Sequence, residues 1–160
     1  MRNLLAFPDE SRVWVYLADR PFNDEDIMPA NEEIEAFCDQ WTSHNRELKA
    51  IGGIMHDQFV VLVVDETKAS TSGCSIDKSL AFVKNMEHKY GRRLLDRNLV
   101  AYLDDREQIH IIPLNELKEA VQQGKLNQET RVFDNLVATR KDYISKWVVP
   151  LGQSWMKKFA

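Results

Sequence analysis

A chain of 160 residues, 44% of them hydrophobic and 29% charged, is long enough to bury an apolar core as one domain or two small ones. Its formal net charge of −4, from 25 acidic and 21 basic residues, gives no overall attraction to nucleic acid or to an anionic membrane. We therefore expect neither as a partner.

The two cysteines, Cys38 and Cys74, do not form a CxxC pair, and two are too few for a disulfide framework in a chain of this length. Free thiols indicate a reducing environment. Residues 1–8 contain too short an apolar run for a signal peptide. The longest apolar run, residues 59–64, is about a third of what a membrane-spanning helix needs. We expect a soluble, cytoplasmic protein.

The first part of the chain carries strand and helix patterns in the order strand, helix, strand, strand, helix, strand. The predicted elements cover residues 12–17, 31–44, 48–54, 58–64, 75–90 and 99–103. Residues 58–64 are apolar at every position after the first, which is typical of a central strand covered on both faces. Gly91 is the predicted stop of the second helix. This element order is that of a ferredoxin-like split βαβ unit.

The rest of the chain carries shorter strand and helix patterns. Residues 99–103 and 108–112 form a predicted hairpin, a third helix is expected over residues 115–123, and a short strand over residues 130–133. Residues 134–160 give no clear assignment. The prediction is an α+β protein with portions 1–95 and 96–160, packed as two units or as one domain over residues 1–160.

The segment from Ser70 to Lys78 is the candidate for chemistry, because small polar residues lie between a strand and a helix. Backbone amides at such a junction can hold an anion, which makes Ser72, Gly73, Cys74, Ser75 and Lys78 a candidate ligand site. A helix N-terminus also lowers a thiol pKa, so Cys74 is a candidate nucleophile. The alternative is that the serines only cap the helix and Cys74 only packs.

Asp65 and Asp77 are candidate catalytic carboxylates, if the end of the third strand lies beside the start of the second helix. The alternative is that Asp77 stabilises the first helical turn and Asp65 solvates a loop. The histidines are scattered and no Walker, GxGxxG, GxSxG or HExxH motif is present. We therefore expect no metal site and no cofactor.

Two tryptophans, Trp147 and Trp155, flank Pro150 in the unassigned tail. Exposed aromatic residues are common anchors of interfaces, which makes this pair a candidate partner-binding surface. The alternative is that the two rings clamp the tail onto the body of the protein.

Several segments resemble a family of short bacterial proteins often labelled "ABC transporter ATPase". They are residues 11–16, 72–79, 96–97, 132–137 and 154–155. The resemblance carries no established activity. The label itself does not suit the chain, because an ATPase of that class needs a GxxxxGK[ST] loop to hold phosphate and none occurs here.

Residues 99–133 are similar to part of the GYF-type domains, through Ile112–Lys118, Gly124–Leu126 and Val132-Phe133. That resemblance implies a small peptide-binding fold, although the aromatic triplet that names the domain is absent. The leading expectation is a non-catalytic interaction protein whose ligand is a peptide or a small anion, with oligomeric state open. The alternative is a small cytosolic enzyme or a redox-responsive protein that uses Cys74.

Overall fold

A computed structural model describes residues 1–160 and shows a mixed α+β protein. The strands are β1 (Arg12–Leu17), β2 (Thr42–Ser43), β3 (Arg46–Glu47), β4 (Lys49–Met55), β5 (Phe59–Asp65), β6 (Leu99–Leu103), β7 (Ile109–Pro113), β8 (Arg131–Phe133) and β9 (Val148–Pro150). The helices are α1 (Asp24–Gln40), α2 (Gly73–Tyr90), α3 (Leu117–Gln122) and α4 (Arg140–Lys146). Short 3-10 turns cover Leu4–Ala6, Leu114–Glu116, Leu151–Gln153 and Trp155–Phe159. No helix combines the length and the apolar composition needed to cross a membrane.

The first sheet has the strand order β1-β5-β4, and every pairing in it is antiparallel. Its central strand, β5, is buried at all seven positions, which confirms the prediction of a doubly covered strand. The side chains of Val60, Leu62 and Val64 join the core beneath α1 and α2. Those of Phe59 and its alternate neighbours join a second core on the opposite face.

The second core lies between the first sheet and a second sheet of order β7-β6-β8-β9. Ala101 of β6 and Phe133 of β8 face the first sheet. On the other face of the second sheet, Val100 and Val132 pack against Leu117 of α3 in a third core. The protein therefore has four layers, with helices outside, two antiparallel sheets inside, and one buried core at each junction.

The predicted ferredoxin-like sheet is not complete. The order β1-β5-β4 is that of its first three strands, but the fourth predicted strand, residues 99–103, lies in the second sheet as β6. One reason for this placement is local. Strand β6 pairs with β7 through a short hairpin, and closing so short a loop costs little conformational entropy. The outer edge of β1 is instead met by residues 138–140, over a single bridge between Arg12 and Thr139.

Helix α1 differs from its prediction at both ends. It begins at Asp24 rather than at residue 31, with three acidic residues in its first turn, where they favour the helix dipole. Pro29 is the sixth residue of this helix, past the first turn, so its missing amide costs one backbone hydrogen bond. The helix ends at Gln40 because Trp41 is extended, with ψ of 124°, and His44 and Asn45 then turn the chain with positive φ into the β2–β3 hairpin. The end of α2 at Gly91, with φ of 61°, was predicted and is confirmed.

Candidate functional site

The loop before α2 is a helix cap. The backbone N–H of Ser72 donates to Ser75 Oγ at 2.6 Å, and the backbone N–H of Ser75 donates to Ser72 Oγ at 3.2 Å. Ser75 is fully buried, and its carbonyl accepts from Trp41 Nε1 at 2.9 Å. Both hydroxyls are therefore committed to starting the helix, as the capping interpretation predicts.

The other residues of this loop are not gathered into a site. Cys74 is exposed, and the structure shows no hydrogen bond between its thiol group and a histidine or a carboxylate. Lys78 Nζ donates to Thr42 Oγ1 at 3.1 Å, and nothing lies within 4 Å of where a side chain on Gly73 would begin. A thiol nucleophile is activated by a base within hydrogen-bond reach, and Cys74 has no such contact.

The two candidate carboxylates have separate environments. Asp65 is buried, accepts from the backbone N–H of Thr67 at 2.9 Å and lies 3.8 Å from Lys49 Nζ. The hydrogen bonds from Thr67, above all, hold the pKa of Asp65 below its usual value. Asp77 is exposed on α2. Neither belongs to a group of three or more side chains able to hold a metal ion.

Trp147 does not present a surface for a partner. It is only 7% exposed, and its ring lies about 5 Å from those of Phe59, Phe133 and Tyr143, with centroid distances of 4.9, 5.1 and 4.8 Å. Its indole N–H donates to Asn135 Oδ1 at 2.9 Å. The partner-binding prediction is therefore wrong for Trp147, because the ring fills the core between the sheets and clamps the tail.

Trp155 has a different position. It is half-buried beside a cleft between the two sheets, and its Nε1 is buried without a hydrogen-bond partner. The enclosed space of this cleft is small, about 50 Å³, and its lining is largely apolar. Its walls come from β1, from the connection between α2 and β6, from the loop after β8 and from the C-terminal 3-10 turn.

One wall of the cleft is the outer edge of β1. Ala18 N–H donates to the Gln58 carbonyl, so the even-numbered amides of β1 point towards β5 and the odd-numbered ones point away from it. At one end of this outer edge, Val13 N–H donates to the Ala138 carbonyl at 2.9 Å. At the other end, Asp19 N–H donates to the Arg93 carbonyl at 3.0 Å.

Between these two sealed ends, the outer edge of β1 is open. Val15 and Leu17 have no backbone partner on that side, and both line the cleft. A second opening between β1 and residues 135–138 also borders Val15, so the open edge is reached from two directions. A strand edge without a partner exposes donors and acceptors that another chain can pair with.

The polar residues at the cleft were not predicted as site residues. Arg97 is exposed and has no ion-pair partner, whereas Arg93 lies 3.4 Å from Asp19 and 3.5 Å from Asp96. Asn135 and Leu136 line the cleft from the loop after β8, and Leu136 is 57% exposed.

Four of the five segments in which the sequence alone suggested a resemblance, residues 11–16, 96–97, 132–137 and 154–155, contribute to the walls of the cleft or its second opening. Their shared location could not be read from a single sequence, because each lies in a different element.

Comparison with known proteins gives no match to a family model, to a curated protein or to a solved structure. Function is therefore inferred from the geometry of the cleft and from the open edge that forms its wall.

Proposed function

We propose that this protein is a non-catalytic binding protein that accepts an extended peptide segment as an added strand on the open edge of β1. The observation that carries the proposal is the pair of unpartnered residues, Val15 and Leu17, between two sealed ends of the same edge. Strand addition supplies main-chain hydrogen bonds that do not depend on the peptide sequence, while neighbouring pockets select its side chains.

The length of the open edge sets the length of the ligand. From Val13 to Asp19 the strand covers about 20 Å at roughly 3.3 Å per residue. An added strand of three or four residues fits between the sealed ends. So short a segment offers few main-chain hydrogen bonds, and we expect affinities in the micromolar range or weaker, with side-chain contacts deciding among peptides.

The walls favour apolar side chains on one face of the ligand. Side chains of an extended peptide alternate, so every second one would point into the cleft. Leu95, Leu99 and Trp155 line it there, and Leu136 stands at its mouth.

Amide hydrogen exchange tests the proposal directly. We would add a pool of random hexapeptides, acetylated and amidated at their ends, and follow individual backbone amides by NMR. The Val15 and Leu17 amides should become protected, because they gain acceptors. The Val13 amide, which already donates to Ala138, serves as the internal control and should change little.

A pair of exposed leucines provides matched variants. Leu136→Ala should weaken peptide binding several-fold, because Leu136 stands at the mouth of the cleft. Leu5→Ala, at a position 79% exposed and away from the cleft, should leave binding unchanged. Peptides that bind without protecting Val15 or Leu17, or binding that both variants reduce equally, would contradict strand addition at β1.

A further inference from the structure

We infer that the peptide accepted at the edge of β1 carries a carboxylate that pairs with Arg97. This inference rests on the proposed function, and it adds the chemical class that the cleft selects. The observations behind it are an arginine without a counter-ion and an excess of hydrogen-bond donors around the cleft.

The other two arginines near the cleft, Arg12 and Arg93, both have carboxylate counter-ions. Arg12 lies 3.4 Å from Glu66 and donates to Thr71 at 3.0 Å. Arg93 lies between Asp19 and Asp96, both within 3.5 Å. Arg97 lines both openings of the cleft and has neither an ion pair nor a side-chain hydrogen bond, so its charge is available to a ligand.

The neighbouring side chains offer donors without acceptors. Asn135 Oδ1 already accepts from Trp147 Nε1 at 2.9 Å, which fixes the amide and leaves its Nδ2 group free to donate. The indole N–H of Trp155 also lacks an acceptor, but it is buried and adds no accessible donor. The single carboxylate of the cleft, Asp96, is occupied by Arg93 and by the backbone N–H of Asn98.

A carboxylate satisfies this arrangement best, because it carries only acceptors and one negative charge. The open carbonyls of Val15 and Leu17 accept from the main chain of the peptide, so they do not compete for it. Two sources share this chemistry, an Asp or Glu side chain within the peptide and a free C-terminal carboxylate at its end.

Three pools of hexapeptides distinguish these sources, with binding measured by NMR titration of the Val15 amide. The first pool is capped at both ends and contains one Asp or Glu. The second is capped and replaces those residues with Asn or Gln. The third has no acidic side chain but keeps a free C-terminus. We expect the first or the third pool to bind roughly tenfold more tightly than the second, because a charge-assisted hydrogen bond adds that much affinity.

Variants assign the preference to one residue. Arg97→Gln should reduce the preference to less than threefold while binding of the second pool stays the same, and Arg97→Lys should keep part of it. Arg46→Gln is the matched control, because Arg46 is also exposed and unpaired but lies on β3, away from the cleft. It should keep the full preference. Arg97 is exposed and makes no ion pair or side-chain hydrogen bond, so its variants should unfold close to the wild-type temperature.

Each outcome separates the two proposals. Equal binding of all three pools, with Val15 protected, would overturn the carboxylate inference and leave strand addition intact. A preference that survives in Arg97→Gln would overturn the assignment to Arg97. If no pool protects Val15, the proposed function itself fails, and the carboxylate inference fails with it.

Discussion

Gly52, in the middle of β4, is the position where a single methyl group should do most harm. A Cβ atom there would lie 2.8 Å from Ile34 Cγ2, from Leu62 Cδ2 and from the Val61 carbonyl oxygen. We expect Gly52→Ala to lower the free energy of unfolding by about 1–3 kcal/mol, because an overpacked core must shift backbone. Urea unfolding measures the change.

Gly73→Ala is the control for that variant. Gly73 begins α2, and nothing lies within 4 Å of a Cβ built on it. Alanine is the better helix former, so the free energy of unfolding should stay the same or rise by up to about 1 kcal/mol. Equal losses at both glycines would show that close packing of β4 against α1 is not the cause.

The two cysteines should react at very different rates. Burial raises the pKa of the Cys38 thiol to about 12, whereas Cys74 is exposed. We expect a thiol reagent at pH 8 to modify one cysteine per folded chain quickly, and the second only after unfolding. Cys74→Ser should abolish the fast phase. A fast phase that persists in this variant would mean that Cys38 is accessible.

At the scale of elements, the β6–β7 hairpin depends on one carboxylate. Asp104 pairs with His110 Nε2 at 2.7 Å and accepts from the backbone N–H groups of Arg106 and Gln108. These contacts, His110 foremost, lower the pKa of Asp104 to about 2. The folded-state pKa is below the unfolded value of about 3.8, so this stabilisation is complete above pH ~4 and is lost as the pH falls towards 2.

NMR titration of the Asp104 carboxyl group tests this assignment. The midpoint should lie near pH 2 in the wild-type protein. In His110→Gln it should rise towards the unfolded value, because the largest of the three contacts is weakened. A midpoint that does not move would assign the low pKa to the two backbone donors alone.

Elements with local signals could be predicted from the sequence. Both long hairpins and α2 agree with their predictions within a few residues, because apolar runs, capping serines and a stop glycine all lie in or beside these segments. The start of α1 could not be placed, because a proline such as Pro29 usually marks the end or the start of a helix. In the structure the helix begins earlier, with three acidic residues that stabilise its first turn. The sheet that β6 joins depends on distant partners, and no local pattern encodes that choice.

The candidate site was harder to predict for the same reason. The sequence indicates Trp155 as a candidate binding residue. Whether the outer edge of β1 is open, however, depends on where Arg93 and Ala138 contact that edge. Those contacts join positions about 75 and 125 residues apart in the chain, a separation that strand propensity does not describe. The loop around Cys74 looked reactive because capping and anion binding use the same residue types.

At the scale of the molecule, the two halves should unfold together. Trp147 packs against Phe59 of the first sheet and Phe133 of the second, within a core shared by both. We expect Trp147→Ala to cost about 3–5 kcal/mol and to destabilise β4 and β7 alike. Hydrogen exchange resolved by residue, with Leu5→Ala as a neutral control, measures both sheets at once.

A different result would divide the chain into two domains. If Trp147→Ala lowered protection in the second sheet and left the first unchanged, the portions 1–95 and 96–160 would be independent units. The shared core predicts instead a single transition, seen at the same denaturant concentration by far-UV and near-UV circular dichroism.

The doubly covered strand β5 also has a consequence for how the chain is made. Its Val60 face can be covered once α2 has left the ribosome, but its Phe59 face needs residues from β8 and α4, some 75 to 90 positions later. At a synthesis rate of roughly 5–20 residues per second, that face stays uncovered for several seconds. The nascent chain therefore offers an apolar strand to solvent during this interval, and a chaperone that holds such segments should bind it then and release it after Trp147 has emerged.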